Sequence, residues 1–138
     1  MGFTFPKEEH LCSRQLIDRL YNEGHRLMAF PYSVQWLILE SPQPHDSTTP
    51  HPPCQVMIVA PKRKFRHAVD RNHVRRLTRE CYRIRKADLH NFLREHNLHL
   101  ILSLVYIHTE IMSYQQLGHK MDKLLPLLEN DILKSLEL

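Results

Sequence analysis

The sequence predicts an α+β sandwich: a four-stranded sheet with helices packed on one face. Three observations carry this expectation. Apolar residues recur at helical spacing in three segments, runs rich in β-branched and aromatic residues lie between them, and the order along the chain is αβββαβα. With 138 residues, 42% apolar and 25% charged, the chain suits one domain, 1–138, built on a single core.

Ser13 to Glu23 forms the first predicted helix. Ser13 can cap it, Leu16, Ile17, Leu20 and Tyr21 share a face, and Gly24 supplies the stop. Arg26 to Phe30 is a short strand ending before Pro31, and Tyr32 to Leu39 (YSVQWLIL) is a second. Residues 40–54 hold five of the nine prolines and have no periodicity, so they are expected to form a flexible loop. Gln55 to Ala60 is a buried strand. The next helix starts near Asp70, whose carboxylate suits a helix N-terminus, and runs to about Lys86, with a further turn or two over 87–96. Leu98 to Ile107 is apolar on both faces and therefore central. The last helix begins at Ser113 with Gln116 three residues on, a capping box, and carries the stripe Leu117, Met121, Leu124, Leu128 and Ile132. Pro126 should kink or break it, because proline removes the amide that would bond the Asp122 carbonyl.

Charge is distributed unevenly. Between Lys62 and Lys86 eleven Lys or Arg face two acids, a balance of +9, so a chain of net charge +4 carries −5 elsewhere. One basic segment on an acidic body points to a localised polyanion site. At 100° per residue, Val74, Leu77, Cys81 and Ile84 fall on one arc, while Arg71, Asn72, Arg75, Arg76, Arg79, Arg83 and Lys86 fall on another. Exposed helix faces ordinarily alternate acid with base, since like charges four apart repel. Here Arg71, Arg75, Arg79 and Arg83 stack without an acid on the row, and arginine's planar fork suits bidentate phosphate contact. The preceding run, PKRKFRH, adds Lys62, Arg63, Lys64 and Arg66 around Phe65. This segment is expected to bind nucleic acid, with His67 and His73 as phosphate or base contacts.

Other chemistry finds little support. The three cysteines are far apart, without a C-x-x-C pair, and the eleven histidines form neither H-E-x-x-H nor a finger spacing, so no metal site is expected. No paired carboxylates or activated nucleophile stand out, and three glycines are too few for a phosphate-cradling loop. The N-terminus lacks a signal peptide's apolar stretch, no apolar run reaches the ~18 residues of a membrane span, and a cytoplasmic location is expected. Single-stranded nucleic acid also wants aromatic platforms. The candidates are Tyr21 and Ile17 on the first helix, Trp36 or Tyr32 on the second strand, and Phe65.

The stretch AVDRNHVRRLTRECYR resembles the signature of the protein subunit of bacterial ribonuclease P, with Arg71, Asn72, Val74, Arg75, Arg76, Leu77, Arg79 and Glu80 fitting the pattern. The departure is His73, where the family usually carries a second arginine. QVMIVAPK upstream and the early LIDRLYNEG also fit, and the resemblance covers roughly residues 10–135. It implies an α-β sandwich like the second domain of ribosomal protein S5, with a left-handed crossover at the basic helix. It further implies a partnership with a catalytic RNA that removes the 5′ leader of precursor tRNA. The RNA would hold the Mg²⁺ ions and carry out the hydrolysis, so the chain would be a subunit of an endoribonuclease with no catalytic residue of its own. No membrane and no obligate protein partner are implied. The leader would lie in a cleft between the first helix and the sheet, at Ile17, Tyr21, Trp36 and Phe65. The alternatives are a ribosomal-type protein or another basic-helix binder without nuclease role, a DNA-binding regulator, and a protein-only nuclease.

Overall fold

The computed structural model describes residues 5, 7–39 and 52–136. A 3-10 turn at Lys7–Glu9 precedes α1 (Arg14–Glu23), β1 (His25–Ala29), β2 (Tyr32–Leu39), β3 (Cys54–Val59), α2 (Ala68–Glu95), β4 (His99–Tyr106) and α3 (Tyr114–Leu136). This is the expected order, in a four-stranded sheet arranged β1-β2-β4-β3. β1 pairs with β2 and β2 with β4 antiparallel, whereas β3 and β4 run parallel. A parallel pair needs a crossover, and α2 supplies it. Most of the proline-rich segment, 40–51, lies outside the described residues, and Cys54 already belongs to β3.

Strand alternation divides the core. Tyr32, Val34 and Trp36 share a face with Leu100, Leu102, Leu104, Tyr106, Cys54 and Val56, covered by α2 and α3. Leu37 and Ile101 point the other way and meet Leu11 and Leu20, with Leu16 and Ile17 at the margin. Helices therefore cover both faces, not the one expected. The reason is β4: a central strand apolar on both sides leaves a second face that needs burial, and the stripe of α1 supplies it. Ser13 caps α1 through Leu16 N–H, 3.3 Å away. Gly24 stops it at φ −71°, by space rather than by handedness: a Cβ there would sit 2.3 Å from the Leu20 carbonyl oxygen.

α2 is one helix of 28 residues, in which the expected 70–86 segment and the further turns expected over 87–96 are continuous, and it starts two residues before Asp70, at Ala68. His67 holds its N-cap position and Asp70 lies in the first turn. Val74 and Cys81 are buried as expected, but Leu77 and Ile84 are only half-buried. The buried line continues through Tyr82, Lys86, Leu89 and Leu93, drifting about 100° around the cylinder as the helix crosses the sheet. Lys86, expected on the cationic side, therefore turns inward: it pairs with Glu9 of the 3-10 turn, its Nζ 5.6 Å from the Phe5 ring centre. The N-terminal segment also docks on β3, through a parallel bridge from His10 to Val56 and a bond from Leu11 N–H to the Val56 carbonyl at 2.9 Å.

The capping box of α3 is present: Gln116 N–H bonds Ser113 Oγ at 3.2 Å and Ser113 N–H bonds Gln116 Oε1 at 3.0 Å. All five residues of its predicted stripe are buried. Of the kink or break expected at Pro126, the break does not occur: α3 runs through it as one helix. Both Pro126 and Asp122 are exposed, so solvent reaches the carbonyl that lost its amide, while buried Leu124, Leu125 and Leu128 hold the turn in place. Arg85 fastens α2 to α3, donating from Nε to Asp122 Oδ1 at 2.8 Å and passing over Gly118, where a Cβ would lie 2.6 Å from Nη2.

Two measurements check this packing. In urea melts Leu89→Ala should cost about 2–5 kcal/mol and the half-buried Leu77→Ala clearly less. Burial, with the charges of Lys86 and Arg94 nearby, pushes the His90 imidazole from 6.5 down to about 4. The unfolded chain thus takes up a proton that folded His90 refuses, and stability should fall as pH drops from 6.5 to 4. His90→Gln should flatten that part of the stability curve relative to the parent.

Candidate nucleic-acid interface

The basic loop 61–67 leaves β3 at Pro61, whose carbonyl accepts from Lys64 N–H at 3.1 Å and Phe65 N–H at 3.2 Å. Phe65 is 7% exposed and buries its ring in the core, 5.8 Å from the Tyr106 ring centre. Lys62, Arg63, Arg66 and His67 remain exposed around this peg, and Lys64 is half-buried. Arg71, one turn into α2, reaches back: its Nη1 donates to the Phe65 carbonyl at 2.8 Å and the Arg66 carbonyl at 3.0 Å. Loop and helix therefore present their cations as one surface.

Along α2 the arginines are not equivalent. Asn72, His73 and Arg76 are exposed, while Arg71, Arg75, Arg79 and Arg83 are half-buried. Arg75 donates to Asn72 Oδ1, joining two expected contact residues. Among the described residues no carboxylate lies within ion-pair distance of Arg71, Arg75, Arg76 or Arg79. Further on, three successive cations each have a carboxylate: Arg83 with Glu80, Arg85 with Asp122 and Lys86 with Glu9. Arg83 grips Glu80 by two bonds, from Nε at 3.0 Å and Nη2 at 2.8 Å, and that grip holds the Glu80 carboxyl below its usual range. The expectation of an acid-free row from Arg71 to Arg83 is thus corrected at its last member, because an i,i+3 spacing brings Glu80 within reach. The uncompensated charge gathers on the first three turns of α2, beside the loop.

The leader-cleft candidates separate. Ile17 is half-buried on the sheet-facing stripe of α1, and Tyr21 is 49% exposed. Trp36 is 1% exposed and sits on the opposite face, its indole N–H donating to Asp131 Oδ2 of α3 at 2.8 Å and its ring stacked on His25 at 4.3 Å. Tyr32 is buried there too, its hydroxyl 2.7 Å from Thr78 Oγ1. Trp36, Tyr32 and Phe65 therefore cannot stack on a base, since each ring is already engaged in the core. Strand alternation puts Arg26 and Met28 of β1, Ser33 and Gln35 of β2 and Ser103 of β4 on the α1 side instead. Met28 is 59% exposed, and buried Gln35 and Ser103 sit opposite each other in register. Their signal was in the sequence: polar Ser33, Gln35 and Ser103 alternate with apolar neighbours.

The two buried thiols offer little reactivity. Burial pushes the Cys54 thiol up to about 12 and raises Cys81 as well. Among the described residues no three His, Cys, Asp or Glu side chains come together as metal ligands.

Comparison with known proteins places this arrangement. A family model described as Ribonuclease P matches residues 5–128. A ribonuclease P protein component from Porphyromonas gingivalis is 26% identical over 88% of this chain and 83% of its own length. One from Chlorobaculum tepidum is 32% identical over 60% of this chain and 51% of its own. The solved RNase P protein of Staphylococcus aureus superposes with a TM-score of 0.61 at 17% identity, covering 87% of this chain and 94% of that one. That of Thermotoga maritima gives 0.58 at 17% identity, covering 85% and 94%.

The unequal pairing predicts unequal substitutions. Arg76→Ala should make the slope of log affinity for single-stranded RNA against log salt shallower by about 0.7, the share of one phosphate contact. Arg83→Ala, whose charge Glu80 already offsets, should change it by less.

Proposed function

The chain belongs to the ribonuclease P protein family, and from that membership we propose how its surfaces divide the work. The basic loop and the first turns of α2 bind the catalytic RNA, through Lys62, Arg63, Lys64, Arg66, Arg71, Asn72, His73, Arg75, Arg76 and Arg79, with Arg83 in a lesser role. The surface between α1 and the sheet receives the 5′ leader of precursor tRNA, with Tyr21 and Ile17 on the helix and Arg26, Met28, Ser33 and Gln35 on the strands. Mg²⁺ supports hydrolysis of one phosphodiester and is held by the RNA; among the described residues the carboxylates, imidazoles and thiols do not assemble into a set that suits it. The protein's share is electrostatic and positional. It neutralises phosphates where two polyanions must meet, and it orders the leader. We place this activity in the cytoplasm; no helix among the described residues is long and apolar enough to cross a membrane.

One observation carries the reading: Arg71, Arg75, Arg76 and Arg79 lie beside an anchored basic loop with no carboxylate of the described residues against them. Their mutual repulsion is relieved by a polyanion. The DNA-binding alternative expects a helix and turn ahead of the recognition helix, whereas here a β-strand and a pegged loop precede α2.

Reconstitution tests the proposal. Labelled precursor tRNA at low Mg²⁺ should lose its leader when protein and catalytic RNA are both present, and remain whole with protein alone. Cleavage by protein alone would reverse the assignment of roles.

A further inference from the structure

We infer that Arg71 is a positioning residue, which sets the basic loop in register with α2 so that both sets of cations meet the RNA together. The inference rests on the proposed RNA binding and adds how that surface is held in shape.

The loop is fastened at three points. Its beginning is a turn on the Pro61 carbonyl, and its middle is pegged by the buried Phe65 ring. Its end, where the chain must enter α2, is held by Arg71. Both N–H groups of one guanidinium nitrogen can be satisfied by the two carbonyls that Nη1 meets, those of Phe65 and Arg66. Arg66 is itself one of the exposed cations, so the bond fixes the backbone from which a phosphate-binding side chain projects. Without it, Lys62, Arg63 and Arg66 would have to be ordered at the moment of binding, an entropic cost set against affinity.

Arginine is required by this geometry. A lysine keeps the charge and has donors enough, but its ammonium sits one atom closer to the backbone on a flexible stem, without the rigid guanidinium plane that fixes Nη1 between the two carbonyls. A simple phosphate contact would tolerate Arg71→Lys. A positioning residue would not, even though the net charge is unchanged.

The experiment is a mutant cycle read by RNA affinity and its salt dependence. Arg71→Lys and Arg71→Gln are made in the parent and in a background carrying Arg63→Ala and Arg66→Ala, with Arg76→Ala as a reference. In the parent, Arg71→Lys should weaken binding about tenfold at about 0.15 M salt and flatten the salt slope by more than Arg76→Ala does. In the background lacking the loop cations the same substitution should cost much less. Without RNA, trypsin should cut after Lys62, Arg63, Lys64 and Arg66 faster in both Arg71 variants than in the parent, a readout independent of affinity. Parental affinity and cleavage rate for Arg71→Lys, or equal costs in the two backgrounds, would overturn the inference and leave RNA binding standing. An unchanged salt slope in every variant, Arg76→Ala included, would remove the RNA-binding reading itself.

Discussion

The parallel pairing of β3 with β4 is the constraint from which the rest follows. No tight turn can join two parallel neighbours, so after Val59 the chain must travel back along the sheet before His99 can begin. That journey is made by the basic loop and the 28-residue α2. The helix that carries the uncompensated cations is braced along its length, by the core beneath it and, beyond the cations, by Arg85 across to α3 and Lys86 down to Glu9. Rigidity matters because a mobile cationic tail would pay for its ordering each time a polyanion arrived.

The pairing of cations along α2 shows how one helix can serve two purposes. In the middle of α2, Arg83 is matched by Glu80 of the same helix, and Arg85 and Lys86 by Asp122 of α3 and Glu9 of the 3-10 turn. Near the N-terminal end of α2 the cations are left for something outside. Buried or half-buried ion pairs contribute little net stability against their desolvation, and their larger effect is to specify which helix meets which. The change from uncompensated to compensated charge between Arg79 and Arg83 marks the edge of the proposed interface better than the arginine count does.

Element order, the cap of α1, the capping box and stripe of α3, and the cationic character of α2 were all legible in the sequence, because each depends on neighbours a few residues apart. What was not legible depends on distant partners. Periodicity shows that α1 has an apolar stripe but not which face of the sheet receives it, so Trp36, expected as an aromatic platform beside α1, lies on the opposite face. Phe65, surrounded by lysine and arginine, looks the same whether it stacks on a base or pegs the loop into the core; only the approach of Tyr106 decides. Lys86 sits on the cationic arc of an ideal wheel and is turned inward by Glu9, 77 residues away. Glu80 is visible at i−3 from Arg83, but a wheel that tracks only the arginine row gives it no weight.

The docking of the N-terminal segment on β3 has a consequence for self-association. Sheet margins with unpaired amides invite strand addition from other copies, a route to aggregation. At β3 the middle of that margin is taken, since His10 bridges to Val56 and Leu11 N–H bonds the Val56 carbonyl. The opposite margin, β1, is five residues long and begins with His25 and Arg26, short and polar enough to discourage a visitor. Both ends of the sheet are thereby made less open to strand addition from a second copy.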